Sequence, residues 1–353
     1  MWVALYHARH WSFFPKVPPW MQAFFEGGYA GVDIFFVISG VIMALTTQHA
    51  PAGAKPAAQF LFMRFARVYT GWWPVMLLSY LLLSYLNAMP PNVNLVASVF
   101  LYPSNFSHNI SSVIWTLAYE LYFYLMVAAS LLLPPRWRNG ALGLVALGML
   151  VIVVYTWATG GYTPAGLARA NYITWFYAGP IVLEFFAGYF LYRLLCRRPT
   201  MNWLWWALAT LLLAAYATYF GRVEMTQGSM AEFYYWSERT LYIGLAACAL
   251  VGTALLAPVV RSPVVQWLAT LGNYSFAIYL LHNLVFQVLQ KPLLLLNAGN
   301  RYRSVSLCLV IVVLILTSVL YYRFIEHPIY EFCRRKIRQW LSPRPSQPLP
   351  SSA

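Results

Sequence analysis

Four titratable side chains fall inside apolar runs of the chain: Asp33, Glu120, Glu184 and His282. A fifth, His7, closes the first apolar segment. Asp33 is the only aspartate among 353 residues, and it stands at the start of a long apolar run, in Y-A-G-V-D-I-F-F-V-I-S-G. A charged side chain deep in lipid costs about 2.5–3.5 kcal/mol on insertion scales, so such groups turn to a bundle interior and mark functional paths. An imidazole titrates near neutral pH and can take the proton of a hydroxyl. A carboxylate beside it fixes the ring tautomer and steadies the imidazolium that forms. His7, Asp33 and Glu120 are therefore the candidate catalytic group, with a carboxylate orienting the histidine. Each one taken singly also fits a hydrogen-bonded strut between helices.

A second constellation is F-M-R-F-A-R-V-Y, with Arg64 and Arg67 three residues apart on one helix face. Two guanidinium forks there suit phosphate oxygens. Anchoring at a lipid head-group layer is the other reading of the same spacing.

The elements that must position these groups are membrane helices. The chain is 61% hydrophobic and 9% charged, with mean hydropathy +0.61. A soluble domain of this size would need far more charge on its surface. The apolar runs are continuous rather than alternating, which excludes a β-barrel. The fold class is all-α, a polytopic transmembrane bundle. Spans are expected near 29–47, 66–88, 113–133, 140–158, 172–195, 203–220, 240–257, 274–290 and 304–325. With a truncated first span over Met1–Tyr6 they make about ten. That first stretch has neither the basic start nor the cleavage site of a signal peptide, so most of a first helix is expected upstream. Residues 1–330 form the transmembrane domain, and 331–353 a basic, then Pro/Ser-rich tail.

The +14 net charge of the chain gathers at span ends, as the positive-inside rule requires, rather than in a nucleic-acid patch. Placing the C-terminal tail in the cytoplasm puts Lys55, Arg64, Arg136, Arg138, Arg197, Arg198 and Arg261 on the same side. The loop 89–112 on the other side has no Lys or Arg. Outer Lys291, Arg301 and Arg303 run against the rule. Four single cysteines without CxxC spacing indicate neither a disulfide framework nor a zinc site. No metal is expected.

The ordered motifs resemble the acyltransferase-3 family of integral membrane acyltransferases. The pieces are L-Y-H ending at His7, and G-V-D-I-F-F-V-I-S-G (Gly31–Gly40). R-x-x-R with its following tyrosine (Arg64, Arg67, Tyr69) and W-T-L-A-Y-E-L-Y-F-Y (Trp115–Tyr124) come next. L-G-N-Y-S-F-A-I-Y-L-L-H (Leu271–His282) and I-E-H-P (Ile325–Pro328) close the series. The G-V-D piece is the specific one. The resemblance implies a membrane-only form of the enzyme in a bacterial inner membrane, using acyl-CoA, commonly acetyl-CoA, from the cytoplasm. The acyl group goes to a hydroxyl of a sugar or other acceptor at the outer face, such as exopolysaccharide or lipopolysaccharide. It also implies His7 as the catalytic histidine, and Arg64, Arg67 and Tyr69 as the donor-binding group. The arginine that the family carries about eleven residues before the histidine falls before Met1. Outer-loop Tyr234, Tyr235 and Trp236 could stack on a sugar. Ser39 could donate to an oxyanion, although an interhelical hydrogen bond is favoured for it. A proton-coupled transporter or exporter is the rival reading. Transporters usually show internal repeats and paired broken helices, whereas Gly179-Pro180 has no counterpart in the other half.

Overall fold

The computed structural model describes residues 1–104, 108–163, 165–166, 176–177, 179–197, 200–225, 237–296 and 302–341. Arg198, Glu232, Tyr234, Tyr235, Trp236, Arg301 and the Pro/Ser-rich end lie outside them. Side chains of 220–225 are likewise not described. The described residues are predominantly helical and contain no strand, so the protein is an all-α bundle. Among the described residues five helices are long and apolar enough to cross a membrane, and two shorter apolar ones accompany them.

Helix α1 (Trp2–Ala8) is seven residues long. It lies on α2 (Pro19–Glu26), which starts with proline at its first turn, where the missing N–H costs nothing. The Trp2 indole donates to the Phe24 carbonyl at 2.7 Å, and Arg9 pairs with Glu26 at 3.3 Å. A tight turn at Gly27–Tyr29 leads into α3 (Ala30–Thr47). Gly28 and Gly31 let α1 settle onto this turn. A Cβ on Gly28 would lie 2.5 Å from the Trp2 carbonyl oxygen, and one on Gly31 2.7 Å from Val3.

Helix α4 (Ala54–Tyr85) has 32 residues, about 48 Å at 1.5 Å per residue, longer than a hydrocarbon core of about 30 Å. A span beginning near residue 66, as expected from the sequence, would put Arg64 and Arg67 at its start. They sit instead three turns inside it, because the helix starts at Ala54 after Gly53, whose φ of 131° only glycine adopts readily. Pro74 lies inside α4 and has no N–H for the ladder, and the Tyr321 hydroxyl donates to the Gly71 carbonyl in the preceding turn. After the short α5 (Leu95–Phe100), α6 (Trp115–Leu131) and α7 (Pro135–Ala158) follow, then α8 (Val182–Arg197) and α9 (Trp203–Met225). A helical turn at Ser237–Arg239 and a π-helical one at Thr240–Gly244 open α10 (Leu245–Leu256). The remaining helices are α11 (Pro263–Gly272), α12 (Ser275–Leu296), α13 (Arg303–Tyr321) and α14 (His327–Leu341), with a second π-helical turn at Tyr322–Glu326.

Helix α14 covers the start of the basic segment after Tyr330. Its Trp340 ring meets Phe62 of α4 edge to face, with centroids 5.5 Å apart.

The tightest crossing in the bundle is α3 against α8. A Cβ on Gly40 would lie 2.0 Å from the Phe185 carbonyl oxygen, and one on Gly188 2.0 Å from the Val37 carbonyl oxygen. Without side chains the two backbones touch, as small residues allow in helix packing within lipid. Beside this crossing, Phe36 packs among Trp115, Tyr119 and Phe123 of α6, and Phe123 stacks on Phe185 with centroids 4.0 Å apart. Gly188→Leu should therefore destabilise the bundle by about 3 kcal/mol or more, seen as a lower unfolding temperature and a smaller monodisperse fraction in detergent. Gly148→Leu, whose Cβ would meet nothing within 4 Å, should leave both unchanged.

Candidate functional site

Asp33, His7 and Glu120 do not come together. Asp33 lies one turn into α3 and is fully buried. A buried carboxylate needs a counter-cation, and Arg239 supplies it. The guanidinium Nε donates to Oδ1 at 3.0 Å and Nη2 to Oδ2 at 2.7 Å, a two-pronged pair with Arg239 itself 2% exposed. Glu184 of α8 joins from the side. Its Oε1 accepts from the Thr240 hydroxyl at 3.2 Å, and a Cβ on Gly244 would lie 3.1 Å from that oxygen. The helical turn ending at Arg239 and the π-helical turn starting at Thr240 thus bring these two side chains onto acids from two other helices. Wide turns of this kind recur at functional positions.

Glu120, also buried, accepts a very short hydrogen bond from the Tyr124 hydroxyl one turn further along α6. The Arg64 guanidinium lies over the Tyr124 ring, 5.8 Å from its centroid. Glu120 therefore belongs with the arginine end of the bundle. Thr116, one turn before Glu120, contacts the Tyr279 hydroxyl of α12 at 2.7 Å. His282 lies three residues beyond Tyr279 in the opposite direction, where Asn283 donates to Ser112 at 3.2 Å. Helical rise then separates the levels of Glu120 and His282 by about 10 Å.

His7 faces a histidine. Its ring centroid is 5.1 Å from that of His282, with the planes tilted by 33°. His282 is fully buried and boxed by Tyr279 and Phe286, with ring centroids at 5.8 and 5.7 Å. Its Nδ1 stands 2.6 Å from the Tyr279 carbonyl oxygen. A carbonyl only accepts, so Nδ1 carries the proton and Nε2 has a free lone pair. That Nε2 has no hydrogen-bond partner. Among the described residues His7 makes no hydrogen bond or ion pair with Asp33 or Glu120. Ser39 is buried on α3 close to the α8 crossing.

Arg64 and Arg67 line a cavity of about 830 Å3 at the other end of α3, with Thr46, Gln59, Asn273 and Arg338. Arg64 donates to the Thr46 hydroxyl at 3.1 Å. Arg67 forms a short ion pair with the buried Glu326, which ends the second π-helical turn. The charge of Arg67 is thus partly matched within the chain. Tyr69 does not line this cavity. Its hydroxyl donates to the Phe100 carbonyl at 2.8 Å, and its ring leans on Trp73. Five residues from Arg64, it occupies another face of α4. Another cavity, about 190 Å3, lies on the α12 face that carries Asn283 and Gln287, a different face from that of His282, and is also lined by Ser79, Asn109, Ser111 and Ser112. Among the described residues no cluster of three ligating side chains is placed to hold a metal ion.

The sequence carried a signal for some of this. A lone acid in a span asks for a partner, yet Arg239 lies among loop charges with nothing to single it out. His282 was visible as a buried titratable group at the end of a motif, without sign of its neighbour. Arg239→Met should leave the Asp33 charge buried and unmatched and cost about 3–5 kcal/mol. Asp33→Asn combined with Arg239→Met should recover much of that loss. Thermal unfolding in detergent measures both.

The acyltransferase domain family matches residues 1–322. Among curated proteins, the chain is 28% identical over 295 residues to the exopolysaccharide production protein ExoZ of Rhizobium meliloti (strain 1021). That match covers 78% of this chain and 82% of the relative. No solved structure matches. Helical membrane architecture, ordered motifs and a family match over nearly the whole length agree: the chain belongs to the acyltransferase-3 family of membrane acyltransferases.

Proposed function

We propose that the protein moves an acyl group, acetyl by default, from cytoplasmic acyl-CoA to a hydroxyl of an extracellular or lipid-linked polysaccharide. The observation that carries this reading is the placement of two unlike sites along one bundle axis. A large cavity walled by arginines lies at one end, and the half-buried His7, packed on His282, lies at the other. Phosphates of the donor rest on Arg64, with Arg67 held alongside by Glu326. Helical rise puts the Arg64–Tyr124 level roughly 15 Å from the level of His282, a span for the extended arm that carries the thioester. Glu120 and Tyr124 lie along that route.

His7 accepts the proton of the acceptor hydroxyl as its oxygen attacks the thioester carbonyl. The carbon–sulfur bond breaks, and the leaving thiolate takes the proton back from His7. The new ester and a free thiol result. Asp33 stays with Arg239 and fixes the helices that hold His7. The similarity to a protein named for exopolysaccharide production favours a glycan acceptor. By this reading the protein sits in a bacterial inner membrane, with Arg64 and the basic segment after Tyr330 toward the cytoplasm.

Purified protein in lipid nanodiscs, given acetyl-CoA and an oligosaccharide from the host polysaccharide, should release free thiol. His7→Ala should lower turnover at least about 100-fold. Arg64→Ala should raise KM for acetyl-CoA roughly tenfold or more and change KM for the oligosaccharide little. His7→Ala turnover within threefold of the unaltered protein would end this reading.

A further inference from the structure

We infer that His282 is the positioning residue for His7, an imidazole filling the place a carboxylate takes in the familiar triad. This rests on the reading of His7 as base given above.

A fully buried polar nitrogen without a partner is rare, because an unmet hydrogen-bonding group inside a protein carries the cost of lost water. His282 Nε2 is such a group. Its tautomer is set from below, since Nδ1 is spent on the Tyr279 carbonyl at 2.6 Å. Nε2 can then only accept. The adjacent ring that can donate is His7, 5.1 Å away between centroids, on a helix that α3 and α2 hold in place. Neither acid that might have served is available in this place. Asp33 is engaged by both prongs of Arg239, and Glu120 is bonded to Tyr124 at another level.

An N–H of His7 directed at His282 Nε2 leaves the other His7 nitrogen unprotonated, which is the form a general base needs. When His7 takes the acceptor proton, both of its nitrogens carry hydrogen, and His282 receives the hydrogen bond of the imidazolium without itself becoming charged. The proton then leaves on the thiolate, and neither ring gains or loses a proton over the cycle. A neutral partner suits lipid-enclosed surroundings, where a second charge would need its own counter-ion. The ring contacts to Phe286 and Tyr279 hold the His282 plane and keep water from Nε2.

The test compares His282→Phe, which keeps ring volume but has no acceptor, with His282→Gln, which keeps an acceptor oxygen. Phe should lower kcat at least about 30-fold with KM for acetyl-CoA within threefold. Gln should restore at least part of the loss. His7→Ala/His282→Phe should be no slower than His7→Ala alone, since the second residue acts only through the first. A purely structural role would instead multiply the two losses and lower the unfolding temperature of both His282 variants alike. Phe variants with kcat within threefold, or a multiplicative double variant, overturn the inference. Where Phe fails to fold, the inference stands on the His7→Ala/His282→Gln pair: Gln slower than unaltered protein only when His7 is present supports it, and equal slowing in both backgrounds rejects it. Loss of the requirement for His7 itself would instead strike the proposed function, and the two failures are told apart by that single variant.

Discussion

The fold is organised by one electrostatic demand. A chain with a single aspartate places it inside an apolar helix, and the buried charge must be met by a cation in its own plane. Arg239 meets it with two hydrogen bonds, and in doing so ties α3 to the turn that opens α10. Glu184 brings α8 into the same knot. The glycine crossing of α3 and α8 is the steric side of that arrangement. Only backbones in contact leave Glu184 short enough a reach to stand beside the pair. Replacing a pair of this type by apolar residues need not cost stability, whereas removing one member does. The knot therefore acts as a register for three elements more than as a source of net stability.

Engaging Asp33 in this way has a consequence for the histidine end. The G-V-D-I-F-F piece and His7 sit close in sequence and share one end of the bundle, and that closeness invites a direct His–Asp pairing. The helix instead turns Asp33 toward α8 and α10, while α1 presents His7 to α12. Two groups can share a level of a bundle and face different neighbours. Spacing along one chain reports the level well and the facing poorly.

This distinction marks what was legible. Composition and run length gave an all-α membrane bundle, because burying or lipid-exposing so many apolar residues admits few alternatives. Motif order gave the family. Arg64 and Arg67 share a cavity as their i, i+3 spacing requires. Tyr69 did not follow them, since five residues carry it to a different face. Partners supplied from far along the chain were not legible: Arg239 is 206 positions from Asp33, and Glu326 is 259 from Arg67. Arg239 immediately precedes one π-helical turn and Glu326 ends the other, and in such turns one extra residue per turn rotates side chains off the regular helical pattern. Periodicity arguments assume a constant 100° per residue and fail at such turns.

Those two turns also make the ends of the bundle physically alike. Each widens a helix beside an acid–arginine pair, one at Asp33–Arg239 and the other at Glu326–Arg67. The first pair is sealed, and both partners are fully or almost fully buried. In the second, Glu326 is fully buried while the Arg67 side chain keeps 34% of its surface open. A buried acid facing an accessible guanidinium orients it without using all of its donors, because a planar fork has five N–H groups and one carboxylate oxygen occupies few of them. On the proposed reading, an anion entering the cavity would meet a guanidinium already aligned, which gives up little side-chain freedom on binding. The same chemistry thus yields a structural clamp where water is excluded and an anion-ready guanidinium where it is not.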